Sequence, residues 1–330
     1  MHSTFLSIKT IDTALKQFIC STKTSLVFVT KEKQYLWSDN NPTYGYGKIP
    51  NSKDLPDTIK ESMCFYAVKK MGGKITKRFD ENVMLFEINQ KEAFDINTPE
   101  DLEYARIISD GIKSNKNKQL NFLKKYLSSS IFYDVMTNMN IECILPQNIK
   151  PIVNGKLFGY AKTLSLSPID KSIKNDWKDI YKALDSYKFI QENDIIIVSN
   201  SVDNRAYFGE LNCNLAIRSG ASGFIIDGFV RDFDAILNLN FPVYCKGSYA
   251  KDIRFYGKME AVNQPINIGD ITICNNDYIF ADNDGCIVIP NKIFDDVLSE
   301  ALKIVTNEQN IINSIINNNV SNIIKDFGEF

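Results

Sequence analysis

The stretch GELNCNLAIRSGASGFIIDGFVRDFDAILNLNFPVYCKG at residues 209–247 constrains this chain more than any other. It reads as an amphipathic helix over 210–219, a Gly-rich turn, an apolar strand at 223–227 and an Asp227-Gly228 turn. Arg231 and Asp232 follow, then a second short strand at 242–245. Alternating strand and helix signals of this kind belong to an α/β fold, whose sites form where strands end. The residue types placed there suit an anion and a hard cation. Arg231 offers a planar fork for carboxylate or phosphate oxygens, and Asp232 and Glu210 offer the oxygen ligands that Mg²⁺ or Mn²⁺ prefers. The bland alternative is a strand-ending loop with a surface ion pair, and a Glu210 drawn to its position by the helix dipole.

Composition removes several classes of chemistry. The only histidine is His2, near the start of the chain, so Ser-His-Asp and Cys-His catalysis and His-ligated zinc are excluded. Seven cysteines, at 20, 64, 143, 213, 245, 274 and 286, show no CxxC spacing, so neither a zinc site nor a disulfide framework is expected. A reduced, cytoplasmic setting is the expectation. A net charge of −2 gives no basic face for direct nucleic-acid binding. No apolar run approaches the roughly 18 residues that would cross a membrane.

With 330 residues, 44% of them hydrophobic, the chain can fill two cores. In the front segment the pattern gives a helix over 11–18, strands at 25–30 and 63–68, a turn at Gly72-Gly73 and a strand at 83–88. Thr98, Pro99 and Asp101 form a helix start of the capping-box kind, with Gly111 as the expected stop. The polar run IKSNKNKQ after Gly111 reads as a linker, dividing the chain into domains 1–114 and 115–330. The second segment is expected to open with a helix over 120–139. Strands follow at 155–166, 194–199, 223–227, 242–245, 271–274, 278–281 and 286–290, with helices from 291 into the Asn-rich tail. Asp282 and Asp284 read as turn formers, and Lys162 as a residue that could line a pocket.

Several ordered blocks of the second segment carry a family resemblance. They are GYAKTL at 159–164, NDIIIVSN at 193–200, AYFGEL at 206–211, GASGFIIDGFVRD at 220–232, FPVY at 241–244 and INIGDITICNNDYIFADNDGCIVIP at 266–290. Together they resemble the RraA-like family, named for the regulator of ribonuclease E activity A, which includes the 4-hydroxy-4-methyl-2-oxoglutarate aldolases. The resemblance implies a layered β/β/α swivelling domain, a homotrimer and a metal-dependent lyase acting on a small 2-oxo acid. In the aldolases an acidic residue stands twenty-one positions before the Arg-Asp pair, the spacing of Glu210 from Arg231. It further implies that Asp232 is the protein ligand of Mg²⁺ or Mn²⁺, that Glu210 holds a metal-bound water, and that Arg231 binds the pyruvate moiety. The backbone of the turn formed by Gly209, Glu210, Leu211 and Asn212 would grip its carboxylate. A second reading of the same resemblance is a non-catalytic protein whose partner is a ribonuclease.

The front segment, over about residues 4–110, resembles the later part of a cytidylyltransferase that activates nonulosonic acids such as sialic acid. FLSIKTIDTALKQF, TSLVFVTKEK, SKDLPDTIKES and FDINTPEDLEYARII carry the match. The phosphate-holding loop with which that domain begins is missing. The family's metal-binding aspartate pair has become Asp95 and Asn97, and Lys53 replaces a customary Gln. The resemblance therefore implies an incomplete α/β segment that does not transfer nucleotides by itself, with a role in packing, in nonulosonate metabolism, or beside a cytidylyltransferase partner chain that supplies the missing loop.

Overall fold

A computed structural model describes residues 5–70 and 77–316, so the Gly72-Gly73 turn and the tail beyond Ile316 lie outside the described residues. The chain divides into two compact units, Met1–Lys113 and Ser114–Phe330.

In the first unit, α1 (Ile8–Cys20) is capped by the Ser7 side chain, which accepts from the Thr10 N–H. Strand β1 (Ser25–Glu32) is central. The minor pair β2 (Trp37–Ser38) and β3 (Asn41–Pro42) follows, then β4 (Thr58–Val68) and β5 (Val83–Glu87). β1 pairs antiparallel with β4 and parallel with β5. Its central position explains its unbroken apolar run, in which Leu26 and Phe28 are fully buried.

Helix α2 (Pro99–Leu123) starts as the capping box requires. The Asp101 N–H donates to Thr98 Oγ1 at 3.1 Å, and the Thr98 N–H donates to Asp101 Oδ2 at 2.8 Å. Two expectations fail here. Gly111 does not stop the helix, and IKSNKNKQ is helical rather than a linker, although the units divide within it. A lone glycine costs a helix only about 1 kcal/mol relative to alanine, Lys and Gln are good helix formers, and the weaker Asn115 and Asn117 cost well under that each. The run contains no proline, and Asn115 and Asn117 stay within the helix rather than ending it.

In the second unit the expected helix over 120–139 is broken. α2 ends at Leu123, and α3 (Ser129–Asn138) begins again with Ser128 as its cap. β6 (Lys150–Val153), β7 (Leu157–Pro168), β8 (Asp194–Asn200) and β9 (Ala206–Phe208) precede α4 (Glu210–Ser219). β10 (Gly223–Ile226), β11 (Phe229–Val230), α5 (Phe233–Leu239), β12 (Val243–Cys245) and β13 (Gly247–Ser248) come next. β14 (Gly257–Val262), β15 (Ile266–Ile268), β16 (Ile271–Ile273), β17 (Tyr278–Ala281), β18 (Cys286–Ile289) and α6 (Phe294–Ile316) complete the unit. The short strands β6, β9, β11 and β13 were not foreseen, nor were β14 and β15.

The main sheet runs β18-β17-β7-β8-β10-β12-β6, with β14 also on β7. Its centre, β7-β8-β10-β12, is parallel and its flanks are antiparallel. Alternate residues go to different layers, as the strand period demands. Ile196, Val198, Phe224 and Ile226 pack with Cys213 and Ala216 of α4 and Ile236 of α5. Ile195, Ile197 and Ile225 pack instead with the β15–β16 hairpin. Phe132 of α3 and Val297 of α6 cover Phe158 and Phe280 at the other end of the sheet.

Asp282 does more than shape a turn. Its carboxylate accepts from the Ser129 N–H at 2.9 Å, the Ser129 hydroxyl at 2.6 Å and the Asp284 N–H at 3.1 Å. It thereby ties the start of α3 to the β17–β18 turn. Asp282→Ala leaves these buried donors without their acceptor and is expected to cost about 2–3 kcal/mol, measured as a lower urea midpoint with an unchanged m-value.

Candidate active site

A second, smaller parallel sheet, ordered β13-β11-β9, holds the residues that matter. Each strand is only two or three residues long, and each ends by delivering chemistry. After β9 come Gly209 and the first turn of α4; after β11 come Arg231 and Asp232; Asp252 lies four residues beyond β13. Backbone bonds lock these ends together. The Arg231 N–H donates to Phe208 O at 2.8 Å, the Ala206 N–H donates to Lys251 O at 2.8 Å, and the Ile253 N–H donates to Ala206 O at 3.0 Å. Beneath them Phe208 of β9 stacks on Phe224 of β10 with centroids 3.7 Å apart, fixing the small sheet to the core.

Asp232 sits at φ 57°, ψ 44°, the left-handed region, where it caps α5 through its own carbonyl, which accepts from the Ile236 N–H at 3.1 Å. Aspartate tolerates this region better than most residues. The turn swings its carboxylate back over Gly209. One carboxylate oxygen, Oδ2, accepts from the Glu210 N–H at 3.2 Å and lies 3.8 Å from Arg231 Nε; Oδ1 has no protein hydrogen bond among the described residues. A Cβ on Gly209 would stand 2.5 Å from Oδ2, so only glycine admits this approach. Arg231 Nη1 in turn donates to Asp252 Oδ2 at 2.8 Å. These groups are more than a third exposed, so their pairing contributes little to stability. Its work is to orient the guanidinium.

Helix α4 begins with no side-chain cap. Of the N–H groups in its first turn, that of Glu210 is spent on Asp232. Those of Leu211 and Asn212 have no acceptor among the described residues and face the positive end of the helix dipole. The Asn212 side chain is engaged elsewhere, donating to Tyr207 O at 3.0 Å. Glu210, Leu211, Asn212, Arg231 and Asp232 all line one cleft of about 670 Å³, together with Gly209. The structure thus brings together every site residue named from sequence.

It also adds residues that sequence reading missed. Asp252 and Arg254 also line the cleft, as do the apolar residues Ile180, Tyr181, Leu184, Leu215 and Ile253. The signal for Tyr181 and Leu184 was present as a period of three. Asp176, Asp179, Lys182, Asp185 and Lys188 share one stripe, and Ile180, Ala183 and Ser186 are a buried second one. Tyr181 and Leu184 fall on a third, whose next member Tyr187 is buried in the core, in a 3₁₀ helix at Asp176–Phe189 with rungs Lys182–Asp179 and Lys188–Asp185. An α-helical template of 3.6 residues per turn overlooks it.

Other candidates leave the site. Lys162 bonds Asn276 Oδ1 at 2.7 Å, and Asp227 pairs with Lys246 at 2.6 Å. Burial pushes the Cys213 thiol up to about 11 and raises the Tyr207 phenol, so neither ionises near neutrality. In the first unit, Asp95 and Asn97 line a cavity of about 400 Å³. Asp95 accepts from the Ile96 N–H at 3.1 Å and from Asn97 Nδ2 at 3.1 Å.

The donors a divalent cation would use here are the carboxylates of Asp232 and Glu210, which line the same cleft. The described residues hold no cluster of three His, Cys, Asp or Glu that could bind a metal ion. Asp232 Oδ1 and the Glu210 carboxylate are hard oxygen donors, and a cation there would complete its shell with water, as Mg²⁺ commonly does. No helix among the described residues is long and apolar enough to cross a membrane.

Comparison with known proteins shows the family. Residues 129–288 match the RraA-like family, described as Aldolase/RraA. A Halalkalibacterium halodurans protein named "Putative 4-hydroxy-4-methyl-2-oxoglutarate aldolase" is 32% identical over 161 residues, covering 48% of this chain and 72% of that protein. Protein DlpA of Legionella pneumophila is 30% identical over 172 residues, covering 51% of this chain but only 27% of its own length. An uncharacterized protein of Pseudomonas syringae pv. tomato superimposes with a TM-score of 0.53 at 26% identity, covering 60% of this chain and 88% of that one. Streptomyces coelicolor RraAS2, described as an unusual member of the RNase ES inhibitor RraA family, shares the fold at a TM-score of 0.51 and 19% identity, over 58% of this chain and 94% of its own. The chain belongs to the RraA-like family. The family match begins at residue 129, so it lends no support to the cytidylyltransferase resemblance of the front segment.

Gly209→Ala is expected to leave the circular dichroism spectrum unchanged while breaking the bond from the Glu210 N–H to Asp232. A crystal structure of the variant should show the Asp232 carboxylate displaced from the mouth of α4.

Proposed function

We propose that the second unit is a divalent-metal-dependent carbon–carbon lyase, of aldolase or oxaloacetate-decarboxylase type, that releases pyruvate from a 2-oxo acid. One observation carries this reading: Arg231, the Asp232 carboxylate and the open N–H groups of Leu211 and Asn212 converge on one cleft. That set suits a molecule with a carboxylate next to a carbonyl. The relatives named as aldolases support it at about 30% identity.

The C1 carboxylate lies against the Leu211 and Asn212 N–H groups, where the helix dipole favours negative charge. The free guanidinium edge of Arg231, held in place by Asp252, donates to the C2 oxygen on which charge develops as the bond beyond C3 breaks. Asp232 Oδ1 would hold Mg²⁺ or Mn²⁺ directly, and Glu210 would hold it through a water. The bound cation supplies Lewis-acid stabilisation of the enolate. No histidine is called for, which agrees with the composition. The family resemblance also leads us to propose a homotrimer, which light scattering of the purified protein would register. The front unit, on this reading, is a retained scaffold that does not itself transfer nucleotides.

Incubation with oxaloacetate or 4-hydroxy-4-methyl-2-oxoglutarate and Mg²⁺, with pyruvate followed through lactate dehydrogenase, tests the proposal. Asp232→Ala is expected to lower kcat/KM on the order of a thousandfold, equivalent to about 4 kcal/mol of transition-state stabilisation. Equal rates for variant and wild type would refute the assignment.

A further inference from the structure

The front unit holds a cavity of about 400 Å³ that takes no part in the proposed lyase and lies within the size range of small-ligand sites. It forms where one face of β1 changes character. Leu26 and Phe28 turn that face into the core with Ala14 and Phe18 of α1, and by the strand period Thr30 and Glu32 continue it. Across the ladder Thr30 stands opposite Lys60, Val29 opposite Glu61 and Val27 opposite Tyr66, so the register jumps between Val27 and Val29. The extra residues of β4 bulge, with Met63 left-handed at φ 55°. Gln90, Asp95 and Asn97, from the segment between β5 and α2, line the same cavity as Thr30, Glu32 and Lys60.

Thr30 is the residue that points to a ligand. It is 4% exposed and lines the cavity, yet its hydroxyl makes no hydrogen bond among the described residues. Buried hydroxyls are ordinarily bonded. Ser62, also buried and also lining the cavity, shows the ordinary case, donating to Phe28 O at 3.0 Å. The charges are unbalanced too, with the carboxylates of Glu32, Glu61 and Asp95 set against the single ammonium of Lys60. The side chains bonded to those carboxylates are neutral: Gln34 donates to Glu32, the Tyr66 hydroxyl to Glu61 and Asn97 Nδ2 to Asp95.

We infer that this cavity binds a polyhydroxylated ligand bearing an ammonium group, of the amino sugar class. Carboxylates form charge-assisted bonds with an ammonium group and accept readily from hydroxyls. The Gln90 and Asn97 amides and the Thr30 hydroxyl can each donate or accept, which matches a ligand whose hydroxyls do both. The excess of carboxylate repels phosphate and sugar acids, so a nucleotide is disfavoured as the occupant. Every group involved belongs to the front unit, so binding here is independent of pyruvate release by the second.

Calorimetric titration of the full chain with glucosamine, glucose, 1,4-diaminobutane, glucuronate and CTP tests the inference. Glucosamine is expected to bind with a Kd of about 1 mM or below, roughly tenfold tighter than glucose, while glucuronate and CTP give no heat. Thr30→Val should weaken glucosamine about three- to tenfold. Asp95→Asn should remove most of the advantage of glucosamine over glucose, each variant being checked by thermal melting. No glucosamine binding at about 20 mM, binding that neither variant alters, diaminobutane bound as tightly as glucosamine, or CTP or glucuronate bound more tightly would overturn the inference.

Discussion

Everything in the proposed site depends on how closely the Asp232 carboxylate approaches the first turn of α4. The contact exists because residue 209 has no Cβ and because Asp232 accepts a left-handed backbone, two local conditions set on different strands. Once made, it occupies the Glu210 N–H, leaves those of Leu211 and Asn212 open, and places Arg231 between Asp232 and Asp252. In the proposed function, one carboxylate would therefore define both the anion-binding and the cation-binding edges of the cleft.

The fold supplies what so short a sheet cannot supply alone. Strands of two or three residues are marginal by themselves, yet β9 and β11 are held in register by Phe208 stacked on Phe224 and by backbone bonds that reach across to Lys251 and Ile253. The parallel core beneath, buried on both faces, gives the loops a rigid base. Sites on rigid bases can keep polar groups partly unpaired, and that is the condition of Asp232 Oδ1 and the α4 N-terminus.

Much of this was legible in the sequence. Glu210, Arg231 and Asp232 were singled out by a carboxylate at a helix start and an Arg-Asp pair at a strand end, and only the family blocks around them and the spacing between them raised them above a surface ion pair. Helix α4 and strands β8 and β17 were equally plain, since their apolar periods match the standard templates. What was hidden depends on long-range contact or an unusual period. Asp252 reaches Arg231 across twenty-one residues, and β9 and β11 are too short to show a pattern. Tyr181 and Leu184 repeat every third residue. At Gly111 the composition misled, because polarity without a cap does not end a helix.

The most direct test of the account is a crystal structure of the full chain soaked with Mn²⁺ and pyruvate. An anomalous peak within about 2.3 Å of Asp232 Oδ1, with the pyruvate carboxylate on the Leu211 and Asn212 N–H groups and its carbonyl oxygen on Arg231, is the predicted result. Manganese and pyruvate bound elsewhere, or a cleft that stays empty at saturating concentrations of both, would contradict it.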